Sequence, residues 1–139
     1  MKFAYDIYPD RRAIVARYVG HFTLDELVAS AQLLWSDPRY ARSYDGLVDV
    51  SDSSVGVAMC DLQPLVKFFR EHRDTSEGRW AAVTSSPLAT ACALIYQRAL
   101  ARRHTFEIFS TWAAACTFLN LDVSPDTPLS GGGEPAGTN

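Results

Sequence analysis

The chain has 139 residues, 47% of them apolar, and a formal charge of −3; a chain this size fits one domain that buries roughly two thirds of its unfolded surface. No segment approaches the ~20 apolar residues of a membrane span, and the opening Met1-Lys2-Phe3-Ala4-Tyr5-Asp6 has no apolar run of signal-peptide length, so neither a transmembrane segment nor export is expected. The one basic group, Arg98, Arg102, Arg103 and His104, is too small a positive face for nucleic acid. Cys60, Cys92 and Cys116 lie far apart without CxxC or His-Cys spacing, and read as reduced thiols of a cytoplasmic protein.

Phe3, Tyr5 and Ile7 alternate with Ala4, Asp6 and Tyr8, a Pro9-Asp10-Arg11-Arg12 turn follows, and Ile14, Ala16 and Tyr18 resume the two-residue period. This predicts an opening β-hairpin that ends at Gly20. Thr23 stands three residues before Glu26, the spacing of a capping box, and Leu24, Leu27, Val28, Ala31, Leu34 and Trp35 fall on one helical face, so a helix is expected from about Leu24 to Ser36. Asp37-Pro38 breaks it, and Gly46-Leu47-Val48-Asp49-Val50 reads as a short buried strand opening into a loop.

Leu62, Leu65, Val66 and Phe69 keep helical spacing, with Pro64 tolerated in the first turn, and this second helix is expected to end near Arg73. Trp80 to Thr84 predicts another strand. Ser85-Ser86-Pro87 then supplies a hydroxyl cap and a proline at the first helical position for a third helix, which turns Leu88, Ala91, Cys92, Ile95 and Ala99 inward. Phe106 to Phe109 is the last predicted strand and Thr111 to Leu119 a closing helix. Residues 122–139 are rich in proline and glycine and nearly devoid of apolar side chains, so a disordered tail is expected after a domain over residues 1–121. The order β-β-α-β-α-β-α-β-α calls for an α/β fold: a mixed sheet, an N-terminal hairpin plus parallel strands, covered by about four helices.

That order, with Gly20-x-x-Thr23-x-x-Glu26, the buried strand ending in Asp49-Val50-Ser51 and the final strand–helix pair, resembles the SpoIIAA-like family of STAS-type domains over about residues 3 to 120. The resemblance implies a bacterial-type regulatory or binding domain without a cofactor, of the kind that antagonises anti-sigma factors, and a relation to CRAL-TRIO-like folds that hold small hydrophobic molecules. In STAS domains a regulatory serine follows a strand in an Asp-Ser-Ser-Gly stretch at a helix start, where a phosphate meets free backbone N–H groups. Asp52-Ser53-Ser54-Val55-Gly56 imitates it and would give that role to Ser54, although Val55 intervenes before Gly56. The plainer reading of the same residues is a turn whose side chains bond their own backbone.

If the later strands are parallel, the loops after them open on one edge of the sheet, where open α/β sheets bind ligands. A regulatory or ligand loop is therefore expected from Asp49, Ser51, Asp52, Ser53, Ser54, Ser85 and Ser86, with Ser110 and Thr111 nearby. Asp49 and Asp52 could share a proton, but helix and turn capping is the commoner use of such acids. His21, His72 and His104 share no local element, and GxSxG, GxGxxG, phosphate-loop, HExxH and Cys/His ligand patterns are absent, so no catalytic, cofactor or metal residue is assigned. Trp35, Tyr40, Tyr44, Phe68, Trp80, Tyr96 and Trp112 exceed what the core stripes require; Phe68 and Tyr96 are the candidates for a pocket rim or interface. The expected function is non-enzymatic binding of a small hydrophobic or amphipathic molecule, the alternative a protein–protein regulatory module, compatible with a homodimer and switched at Ser54.

Overall fold

The computed structural model describes residues 2–55, 63–71, 77–99 and 105–133. Its elements are β1 (Lys2–Tyr8), β2 (Ala13–Phe22), α1 (Leu24–Trp35), β3 (Asp45–Val55), α2 (Gln63–Glu71), β4 (Arg79–Val83), α3 (Pro87–Ala99), β5 (Thr105–Phe109), α4 (Trp112–Leu119) and β6 (Gly131–Gly133). They form the expected α/β fold around a mixed sheet of order β5-β4-β3-β2-β1-β6. The β1–β2 hairpin and the β1–β6 pair are antiparallel, whereas β2, β3, β4 and β5 run parallel to one another.

Alternation along the strands serves two cores. Phe3, Tyr5, Ile7, Ile14, Ala16 and Phe22 meet Leu27 and Leu34 of α1 on one face. Val15, Leu47, Ala81 and Val83 meet Ala115 and Leu119 of α4 on the other. Helix α2 packs on α1 and α3 on α2, so three helices share the first face while α4 covers the second. The capping box is formed: Thr23 Oγ1 accepts from the Glu26 amide at 3.2 Å, and the Glu26 carboxylate accepts from the Thr23 amide at 3.3 Å. This satisfies two of the donors that a helix start leaves open.

One polar pair packs at the first core, with Ser30 buried and Tyr18 half-buried. The Tyr18 hydroxyl lies 2.7 Å from Ser30 Oγ, which itself donates to the Leu27 carbonyl at 2.7 Å, so Tyr18 is the donor between them. Burial pushes the Tyr18 phenol up to about 12. Removing the Ser30 hydroxyl strands a buried donor, whereas removing the Tyr18 hydroxyl leaves Ser30 with its carbonyl. Chemical denaturation is therefore expected to show a cost of about 2 kcal/mol for Ser30→Ala and about 1 kcal/mol or less for Tyr18→Phe.

Three expectations are corrected. The hairpin strand does not end at Gly20: that residue takes φ 96° and β2 continues to Phe22. The third strand does not open into a loop after Val50, because Asp52 to Val55 pair with Val19 to Phe22 beyond a register shift. Nor is the segment from residue 122 disordered throughout, since it runs across the sheet to Gly133 and pairs there with β1. Its lack of apolar side chains misleads because main-chain groups hold it, as detailed below. Residues 134–139 lie outside the described residues.

Candidate functional site

Adjacent parallel strands whose following helices leave toward opposite faces open a crevice beyond their carboxyl ends. Here β4 feeds α3 on the first face and β5 feeds α4 on the second. The crevice between them is present, with a volume of about 940 Å³. The β4–α3 turn gives it Thr84, Ser85, Ser86 and Pro87; α3 adds Thr90, Ala91 and Leu94; β5 and its exit add Ile108, Phe109 and Ser110.

The hydroxyl side is ordered by a short chain of bonds. Thr84, 4% exposed, ties β4 to β5 through its amide, which donates to Phe109 O at 3.0 Å. Its Oγ1 lies 2.8 Å from Thr90 Oγ1, which donates in turn to Ser86 O at 3.0 Å. Ser86 Oγ accepts from the Ala89 amide at 3.1 Å, the cap expected from the Ser85-Ser86-Pro87 run. Ser85 Oγ donates to Ser51 O at 2.5 Å and fastens the turn to β3. Opposite these groups Leu94 is 46% exposed, an apolar side chain that the fold leaves uncovered. Among the described residues, its lining offers hydroxyls and hydrocarbon and no charged side chain.

The expected loop residues divide. Ser85 and Ser86 line the crevice, whereas Asp49, Ser51, Asp52, Ser53 and Ser54 lie in β3. Asp49 is 9% exposed; its Oδ1 accepts from the Ser51 amide at 2.9 Å and from Ser51 Oγ at 2.5 Å. Its Oδ2 stands 3.5 Å from Arg17 Nε. Asp52 is exposed on the β2–β3 ribbon opposite Val19. Ser53 Oγ donates to Val50 O.

Ser54 pairs across the ribbon with His21, whose Nδ1 lies 3.0 Å from Ser54 Oγ. Both are therefore strand residues, which corrects the placement of Ser54 at a helix start. Gly56, His72 and His104 lie outside the described residues.

Among the aromatic residues, Phe68 stacks on Trp35 with ring centroids 5.6 Å apart and planes 14° from parallel, joining α2 to α1. Tyr40, Tyr44 and Trp80 pack on the first core and Trp112 on the second. The Tyr96 side chain is outside the described residues. Sequence reasoning missed Thr90, Leu94 and Ile108. For Leu94 a signal existed, since it stands off the inward stripe of its helix. Among the described residues no group of three His, Cys, Asp or Glu could hold a metal, and no helix is long and apolar enough to cross a membrane. Cys116 is half-buried, and burial raises its thiol above the usual range.

No protein-family model matches the chain, and no curated protein matches it. A solved structure of an uncharacterized protein from the DUF3478 family, from Shewanella loihica PV-4, is similar to it with a TM-score of 0.58 and 16% identity, covering 85% of this chain and 94% of that one. That structure is described as having a SpoIIAA-like fold. The chain has a SpoIIAA-like fold.

Proposed function

We propose that the domain is a non-catalytic binding module that takes a small amphipathic molecule in the crevice between the carboxyl ends of β4 and β5. The observation that carries this reading is the two-sided lining: hydroxyls of Ser85, Ser86 and Ser110 at the strand ends, and Pro87, Leu94 and Ile108 as an apolar flank. Its volume of about 940 Å³ suits a small organic ligand. A polar head would sit among the hydroxyls and a short apolar chain along α3. The cysteine usage favours the cytoplasm as its place of work.

The test is a series of saturated fatty acids of increasing length, added to the full chain while its melting temperature is followed. A ligand held at a hundredfold above its Kd stabilises by about 2.7 kcal/mol, several degrees for a domain of this size. Leu94→Arg is expected to cost the fold within about 0.5 kcal/mol, because the residue is largely exposed, and to weaken binding at least tenfold. If no member of the series raises the melting temperature, or the Leu94 variant binds as well as the parent, the reading fails.

A second reading is a STAS-like protein–protein regulatory module. The exposed side of the β2–β3 ribbon favours it: Val19 is 38% exposed there, beside His21, Asp52 and Ser54. Ser54→Asp would then change the capture of a partner from the host, and equal capture by Ser54→Asp and Ser54→Ala would remove the switch.

A further inference from the structure

At the end of α4 the chain reverses at Asn120, whose φ of 52° and ψ of 46° lie in the left-handed region. The amide of Leu121 returns to Cys116 O at 2.9 Å and closes the helix. The following segment, residues 121–133, is a strap laid across the second face and onto the free edge of β1. The protein body grips it chiefly by its main chain. Arg11 donates to Asp122 O at 2.6 Å, the Trp112 indole to Val123 O at 2.8 Å, and Arg17 to Pro125 O at 2.5 Å. At its far end Gly131 to Gly133 add an antiparallel strand opposite Tyr5 to Phe3.

Three apolar side chains, Leu121, Val123 and Leu129, pack into the second core. Gly131 fits because a Cβ there would meet the Tyr5 ring and carbonyl at 2.9 Å. Strand addition and side-chain donors aimed at backbone carbonyls are the means by which proteins hold extended segments in general. The groove is thus a built receptor for one extended segment, and the strap reaches it only through the turn at Asn120.

We propose that the same groove accepts residues 121–133 of a second copy of this chain, giving a symmetric dimer by exchange of the strap. The occupant follows from identity: the groove already fits this segment, and exchange preserves the contacts of Asp122, Val123, Pro125 and Gly131 to Gly133 while giving up the Leu121 bond that closes the turn. The closed monomer and the exchanged dimer then differ in the turn and in the cost of association. In the closed form Asn120 must hold a conformation that disfavours side-chain-bearing residues; in the exchanged form the turn straightens and that requirement lapses. Pro125 and Pro128 keep the released strap extended, which lowers the entropy lost when it docks. The inference is independent of what the crevice binds.

The experiment compares the full-length chain with Asn120→Gly and Asn120→Ala by light scattering and native mass spectrometry up to millimolar concentration. Alanine tolerates the left-handed turn less well than asparagine and glycine better. Dimer-to-monomer ratios should accordingly rise roughly fivefold or more in Asn120→Ala and fall in Asn120→Gly. Gly131→Val, which blocks seating of the strap, should abolish the dimer in the parent and in Asn120→Ala alike. Monomer in all three chains at the highest concentration overturns the proposal. So does a dimer that ignores Asn120 or persists with Gly131→Val, which would mark a different surface. Should Asn120→Ala fail to fold, the parent, Asn120→Gly and Gly131→Val still decide.

Discussion

Replacing Gly46 by valine should destabilise the fold by about 3 kcal/mol, among the largest effects of any single substitution near the sheet centre. Gly46 is buried in β3 directly across from Trp80 of β4. The indole lies so close over the glycine that any Cβ would fall among its Cδ2, Cε3 and Cε2 atoms. A rigid ring packed on the core including Ile14 and Tyr5 cannot withdraw as a flexible side-chain end would. Trp80→Leu alone leaves a cavity and is costly in its own right, about 3 kcal/mol. In the double variant the added and the removed volumes offset each other. Its denaturation midpoint should lie above that expected from the sum of the two single effects, with coupling of about 1 kcal/mol or more. Strict additivity would mean that the ring and the glycine do not share the space.

The second large effect concerns Asp49. The sequence marks it as a strand-end acid open to a ligand, yet it is 9% exposed and committed to Arg17 and to two donors of Ser51. Asp49→Ala leaves the Ser51 amide without its acceptor and Arg17 without its counter-charge. Arg17 keeps some water, with a side chain 25% exposed, so the cost falls short of a fully buried pair and is expected near 2 kcal/mol. Arg17→Met also loses the bond to Pro125 O and the placement of the guanidinium 5.4 Å from the Trp112 ring centroid. It should cost a similar amount, and the double variant clearly less than the sum. Ligand affinity at the crevice is expected to change little in Asp49→Asn, since Asp49 is not among the lining residues and its carboxylate is committed to Ser51 and Arg17. A loss of binding with stability retained would return Asp49 to the site.

Periodicity gave the order of elements through α4, because each strand and helix of the domain carries its own apolar repeat and most helix starts carry a hydroxyl cap. Three features escaped it for physical reasons. Asp52-Ser53-Ser54 has the composition of a turn, but pairing with Val19 to His21 overrides that local preference. The strap looked unable to fold because it offers few apolar side chains, whereas carbonyls bonded by Arg11, Arg17 and Trp112 hold it. Those donors are distant in sequence and leave no local pattern. Ser85 and Ser86 were legible as a cap at a strand end. Leu94 and Ile108 acquire meaning only once α3 and α4 lie on opposite faces of the sheet.

The aromatic surplus divides in the same way. Tyr40, Tyr44, Trp80 and Trp112 join the two cores, and Trp35 meets Phe68 between helices. Their number follows from a sheet covered on both faces, not from a cavity. The crevice at the strand ends is lined by none of these aromatic side chains.

The central claim, that this crevice is the binding site, is tested most directly by amide chemical-shift mapping of the full chain during titration with decanoate. The account predicts saturable shifts concentrated at Thr84 to Leu94 and Ile108 to Ser110, lost in Leu94→Arg. Shifts confined to the β2–β3 ribbon around His21 and Ser54, or none at saturating ligand, would contradict it.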